Sequence, residues 1–257
     1  MKKVFIMGFS ILMIFSMSLI AQSNPMDNEA AKLYNEGNKQ KKSGNYDGAL
    51  DSYKKALEIS KDYRIYYQLS AVYKKKRQYD FAEQALQECL KLNPDFSTAY
   101  NSLGTTYYSW GKYEKAVENF KLFQEKTTDK KLKKRAAKYI GLAYTKIGES
   151  SLKDRNYEKA ETHLLNAVAN YDYDAAYVKL ADVYVEIGKY EDALKAADNA
   201  INYRDKKSKV PKGAPYFYKG MAFKGLKDIE KAKENFKIAS SDKQYKDRSN
   251  HEIKYLN

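Results

Sequence analysis

The chain has 257 residues, and 47 Lys and Arg against 33 Asp and Glu give it a formal charge of +14. Its single cysteine, Cys89, permits neither an internal disulfide nor a redox pair, and two histidines, His163 and His251, leave too few soft ligands for a catalytic metal centre. With 25 Tyr, only 4 Pro and scarce strand-like alternation, the composition suits helices whose contacts are largely aromatic on Ala and Gly.

The first segment reads as an address. Met1-Lys2-Lys3 precedes an apolar run from Val4 to Ile20, and Ala21-Gln22-Ser23 supplies small residues for cleavage after Ala21 or Ser23. Residues 1–21 therefore have the layout of a Sec-type signal peptide. The run also reaches the lower limit for a membrane span, so an uncleaved anchor is the alternative. In either case Lys2 and Lys3 hold the N-terminus in the cytoplasm and the rest crosses. The expectation is a periplasmic or secreted protein, or one anchored in the inner membrane and facing the periplasm, with membrane association through the N-terminal segment. Export demotes nucleic acid as the target of the basic surface and leaves acidic protein partners or anionic envelope components. Residues 22–29 form a polar spacer.

The body of the chain repeats one unit. Tyr100 to Phe120 places Tyr100, Leu103, Gly104 and Tyr107 on one helical stripe, follows with a Gly111-Lys112-Tyr113 turn, and places Ala116 and Phe120 on a second stripe. A lone helical hairpin cannot bury both faces, so it must be stacked on others. The small position of the second helix recurs as Ala49, Ala82, Ala116, Ala160, Ala193 and Ala232, at steps of 33, 34, 44, 33 and 39. Around these rulers the first repeat carries Leu33, Gly37, Gly44, Tyr46 and Tyr53, the second Tyr66, Leu69, Ser70, Tyr79 and Leu86, the fifth Tyr177, Ala181, Gly188 and Tyr190, and the sixth Tyr216, Gly220 and Phe236.

This pattern resembles the tetratricopeptide repeat family over most of Ala30 to Tyr245. The resemblance implies an all-α, right-handed superhelical solenoid of about six antiparallel helix hairpins, in repeats of about 30–62, 63–96, 97–130, 131–173, 174–207 and 213–246. Residues 247–257 are read as a C-terminal capping helix that covers the last apolar face.

Three places depart from regularity. Phe123 stands where a methyl is usual, which predicts loosening between repeats three and four. Gly141 to Ala160 is seven residues longer than Gly104 to Ala116, which predicts either a first helix lengthened by about two turns past Gly148 or a loop between Gly148 and Arg155. Tyr203 to Ala214, rich in Lys with Pro211 and Gly213, is the best candidate for an exposed, mobile loop.

No phosphate-cradling glycine loop, nucleophile elbow or histidine-rich metal motif is present. His163 and His251 read as solvated, and Cys89 as a small buried hydrophobe. No catalytic residue, cofactor or metal is expected.

By the resemblance, the functional surface is the concave face lined by the first helices. Its candidate residues are Tyr34, Asn35, Asn38, Lys41 and Lys42 in the first repeat, and Arg64, Tyr67, Gln68, Lys74 and Lys75 in the second. The third contributes Asn101, Thr105 and Tyr108, the fifth Val178, Lys179 and Asp182, and the sixth Phe217, Tyr218 and Met221. Such a groove suits an extended peptide, acidic where the lysines cluster. The family's clamp for a C-terminal carboxylate is not reproduced, because Tyr34, Thr98 and Ser102 replace its basic positions although Asn38 is kept. The expectation is a non-enzymatic scaffold in the bacterial envelope that binds a protein or peptide. The rival is a surface-associated module whose basic patches hold anionic polymer or lipid headgroups.

Overall fold

A computed structural model describes residues 25–256, so the proposed signal segment lies outside the described residues. These residues form thirteen helices and no strand. Six hairpins follow one another: α1 (Asn28–Lys42) with α2 (Tyr46–Ile59), α3 (Tyr63–Lys75) with α4 (Tyr79–Leu92), and α5 (Ser97–Trp110) with α6 (Tyr113–Lys126). The second half pairs α7 (Lys130–Lys153) with α8 (Tyr157–Asn170), α9 (Asp174–Glu186) with α10 (Tyr190–Asn202), and α11 (Gly213–Gly225) with α12 (Ile229–Ser240), before the short α13 (Lys246–Lys254). Each helix packs on its sequence neighbours, as expected of a solenoid in which every unit buries its apolar face on the next.

A single set of positions builds every hairpin. The first helix places a small residue opposite a larger one sixteen positions later, as in Gly37–Tyr53, Gly104–Phe120 and Gly220–Phe236. A Cβ on Gly104 would fall 2.7 Å from Phe120 Cδ1, so only glycine lets the two axes approach this closely. Seven positions after the small residue, the chain reverses through a left-handed backbone at Gly44, Arg77, Gly111, Arg155, Gly188 and Lys227, with φ between 56° and 83°. Two residues further on, an aromatic or Ile opens the second helix, preceded by Asn45, Asn156 or Asp228 where a side chain caps it.

These shared positions correct the register of repeat four. The left-handed residue is Arg155 and the large partner is Leu164, so the residue equivalent to Gly104 is Gly148, twelve positions before Ala160 as in every other repeat. Gly141 lies two turns earlier, against the Ala167 carbonyl and Tyr171. The additional residues therefore extend α7 at its N-terminal end, and the chain between Gly148 and Lys153 is helix, not loop.

That extension also reverses the expectation of loosening at Phe123. Phe123 is 2% exposed and shares a cluster with Ala136 and Ile140 of the added turns, and α6 with α7 is the most extensive contact between successive hairpins. A longer partner helix supplies the room that a larger side chain needs.

The buried apolar residues fall into three clusters. One joins Ala49 through Ala85, the next runs from Leu86 to Ile147, and the last from Ala160 to Leu256. The second division falls inside repeat four. There the Gly148–Leu164 approach and a hydrogen bond between Tyr173 and buried Thr145 bridge the two sides.

The loop at 203–212 is largely exposed, as expected, and is linked to the fold at three side chains. Asp174, 6% exposed, accepts from the Ser208 hydroxyl and pairs with Arg204 at 3.5 Å, while Arg204 also donates to the Val210 carbonyl. His163 is half-buried instead of fully solvated, with its Nδ1 shut off from solvent and its ring stacked on Tyr144 at 6.1 Å.

Candidate functional site

The first helices α1, α3, α5, α7, α9 and α11 form one row, and four cavities open between successive members of it. The first, about 530 Å³, lies between α1 and α3 and is lined by Asn35, Asn38, Lys39, Lys41, Lys42 and Gln68. The next, about 400 Å³, is walled by Lys74 and Lys75 of α3 and by Ser102, Thr105 and Ser109 of α5. A third, about 360 Å³, joins the end of α7 to Asp182 and Glu186 of α9. The last, about 440 Å³, is bounded by α9, α11 and the cap helix α13.

Charge divides this row. At the α1–α5 end, Lys41 donates to the Gln68 carboxamide and Lys74 donates to Thr105 Oγ1 at 2.5 Å. Burial, with Lys75 adding to it, lowers the Lys74 ammonium to about 8, and burial with Lys42 lowers Lys41. Asn38 accepts from the Tyr53 hydroxyl at 2.8 Å, which orients its carboxamide.

At the far end the groups are compensated within the fold. Asp182 is hydrogen-bonded by Tyr218, and burial holds its carboxyl above the usual carboxylate range. Glu252 of α13 pairs with Lys224 at 2.7 Å, and the Arg248 guanidinium lies 4.4 Å from the Phe217 ring centroid. The Cys89 thiol has no place in the row. It is wholly buried, and its pKa is pushed up to about 12, chiefly by that burial.

The sequence-derived candidates distribute unevenly. Asn35, Asn38, Lys41, Lys42 and Gln68 meet in one cavity, Lys74, Lys75 and Thr105 in another, and Asp182, Phe217, Tyr218 and Met221 in a third. Val178, Phe217 and Tyr218 are corrections: at 6%, 3% and 7% exposed they belong to the core, because α9 and α11 are apolar around most of their circumference, although Phe217 and Tyr218 also border the last cavity. Arg64 is committed to Asp62, the N-cap of α3, at 2.5 Å. Tyr34 and Tyr67 lean on neighbouring rings, Tyr53 at 6.1 Å and Phe96 at 5.1 Å, and Tyr108 packs edge-on to Tyr113 and Tyr139. Asn101 carries a buried side-chain oxygen with no hydrogen-bond partner.

Four residues of α13 went unnoticed in the sequence. Asp247, Arg248, His251 and Glu252 wall the last cavity, so the cap extends the groove as well as covering the stack. Their alternation of charge is the only trace such a role leaves in sequence, and it is shared with any solvated helix.

Among the described residues no group of His, Cys, Asp and Glu could hold a metal ion, and no helix is long and apolar enough to cross a membrane.

Comparison with known proteins follows the same hairpins. Tetratricopeptide repeat profiles match residues 30–63, 63–96, 85–118 and 145–211. The small glutamine-rich tetratricopeptide repeat-containing protein 2 of Mycosarcoma maydis is 33% identical over 100 residues, covering 37% of this chain and 28% of that protein. Heat shock protein STI1 of Saccharomyces cerevisiae is 32% identical over 88 residues, 34% of this chain and 15% of its own. The chain thus spans less than a third of the length of these curated relatives. Among solved structures, YrrB, described as a TPR protein with an unusual peptide-binding site, superposes with a TM-score of 0.51 at 17% identity, over 79% of this chain and 97% of that one, a likeness of fold. With repeat profiles on both halves of the chain and an unbroken succession of helix hairpins, this protein belongs to the tetratricopeptide repeat family.

Proposed function

We propose that this protein is a non-enzymatic scaffold of the bacterial envelope that holds an extended segment of a partner protein along the row of first helices. The observation that carries this reading is the succession of cavities, each between neighbouring first helices and lined by amide, hydroxyl, amine and aromatic groups suited to peptide backbone and side chains. The peptide-binding site named for YrrB, a protein of the same fold, supports it. The charged n-region and apolar run at residues 1–20 support the envelope setting.

The test is site-specific photo-crosslinking in intact cells. A photoreactive side chain at Asn35, Asn101 or Met221 on the row should capture one partner protein, whereas the same group at exposed Phe81 or Leu122 of the second helices should not. Equal capture from both faces, or none from the row, overturns the proposal. Fusion of a reporter active only outside the cytoplasm to the C-terminus checks the compartment.

A further inference from the structure

Most lysines of this chain that make an ion pair do so along or between helices within the fold. Lys126 meets Asp95 at 3.1 Å, Lys189 meets Glu161 at 2.8 Å, Lys219 meets Asp198 at 2.7 Å and Lys231 meets Asp228 at 2.7 Å. Lys41 and Lys74 combine the lack of such a pair with partial burial. They hold the same position in successive hairpins, four residues after Gly37 and Ser70, and both are partly buried in the groove. Each reaches across to the next first helix and finds a neutral acceptor, Gln68 or Thr105. Among the described residues neither has a carboxylate within ion-pair distance, although Lys42 and Lys75 beside them add to the charge.

Two cations drawn out of bulk water without a counter-charge are an unfavourable arrangement on their own, and an anion laid across both relieves it. The acceptors that now hold them are neutral and can release them to a stronger, charged partner.

We infer that Lys41 and Lys74 form a two-rung shelf that reads an internal acidic pair in an extended peptide, a deepening that rests on the scaffold reading above. Side chains of an extended chain face the same way only at every second position, about 6.6 Å apart, so the two acidic side chains that meet the shelf stand two or four positions apart. Peptide is favoured over a phosphate-bearing polymer by the kind of groups present. Lysine is a point charge with no bidentate fork, and the carboxamides of Asn35 and Asn38 beside it match a peptide backbone.

The test selects a displayed random-peptide library on the purified full-length chain and, in parallel, on the Lys41→Gln, Lys74→Gln double variant. Peptides enriched on the natural chain should carry paired Asp or Glu. Synthetic versions, acetylated and amidated at their ends, should bind at least about tenfold more weakly to the double variant and when both acids are changed to amides. A Lys41→Glu, Lys74→Glu chain should in turn prefer peptides with Lys at the two positions, a rescue that a misfolded variant could not show. If peptides enrich but are not acidic, or bind the double variant equally, the shelf is overturned while the scaffold reading stands. If no peptide enriches on either chain, the scaffold reading itself falls. Lysine-dependent capture of vesicles containing anionic lipid, without capture of the capped acidic peptide, also overturns the shelf.

Discussion

Gly148 lies against Leu164 so closely that a Cβ on the glycine would fall 2.7 Å from Leu164 Cγ, the same relationship that Gly104 has to Phe120. Replacing either glycine with Leu should force the hairpin apart and destabilise the chain by about 1–3 kcal/mol, read as a lower urea midpoint. An unchanged midpoint for Gly148→Leu would contradict the register of the fourth repeat.

Three of the six hairpin turns carry a cationic residue in the left-handed region, Arg77 at φ 59°, Arg155 at φ 56° and Lys227 at φ 64°, where the other three have glycine. A side chain there costs on the order of 1 kcal/mol, which glycine avoids. The change to Gly at each should therefore raise the thermal midpoint, and the triple variant should show a nearly additive gain because the sites lie in separate repeats. A loss of stability in all three would show that the long side chains supply compensating contacts.

Phe123 fills the junction between α6 and the added turns of α7. Phe123→Ala should cost about 3–5 kcal/mol, the usual penalty for emptying a core aromatic site. The family-typical alanine would thus be among the most damaging substitutions here. Equilibrium unfolding checks it, and a cost below about 1 kcal/mol would mean that the junction collapses to fill the space.

Lys74 supplies a pH dependence with a defined sign. Its folded value of about 8 lies below the ordinary 10.5, so between those limits the unfolded chain binds more protons and stability rises with pH. Below about 8 both states are protonated and the full cost of burying the ammonium is present. The ionisable groups around it are Lys75, Arg77 and Tyr79, and α5 faces it with hydroxyls alone. Lys74→Met should be more stable than the natural chain at neutral pH and should lose that advantage towards pH ~10. Urea midpoints of the two chains at both pH values decide it, since the other titrating groups are common to both.

The helices, their pairing and the repeat rulers were legible in the sequence because each depends on local spacing. Ala49, Ala116 and Ala232 recur opposite a small residue twelve positions earlier, and a stripe with helical period survives any change in the surrounding loops. The fourth repeat was legible only in part. Gly141 and Gly148 are seven residues apart, which is nearly two helical turns, so both lie on the same face and pattern alone cannot tell which one meets the second helix. Arg155 gives no hint either, since an arginine in a left-handed turn looks like any other surface cation until its backbone is seen.

The groove follows the same division. Sequence by itself determined that Lys, Asn and Tyr recur on the outward side of the first helices, because that is a matter of which residues share a stripe. Only the tertiary structure decided that Val178 turns into the core, that Arg64 is held by its own N-cap Asp62, that α13 walls the last cavity, and that Lys41 and Lys74 meet neutral partners. Periodicity records the face a residue occupies on its own helix, whereas burial and charge compensation depend on which neighbouring helix is laid against that face, and at what height.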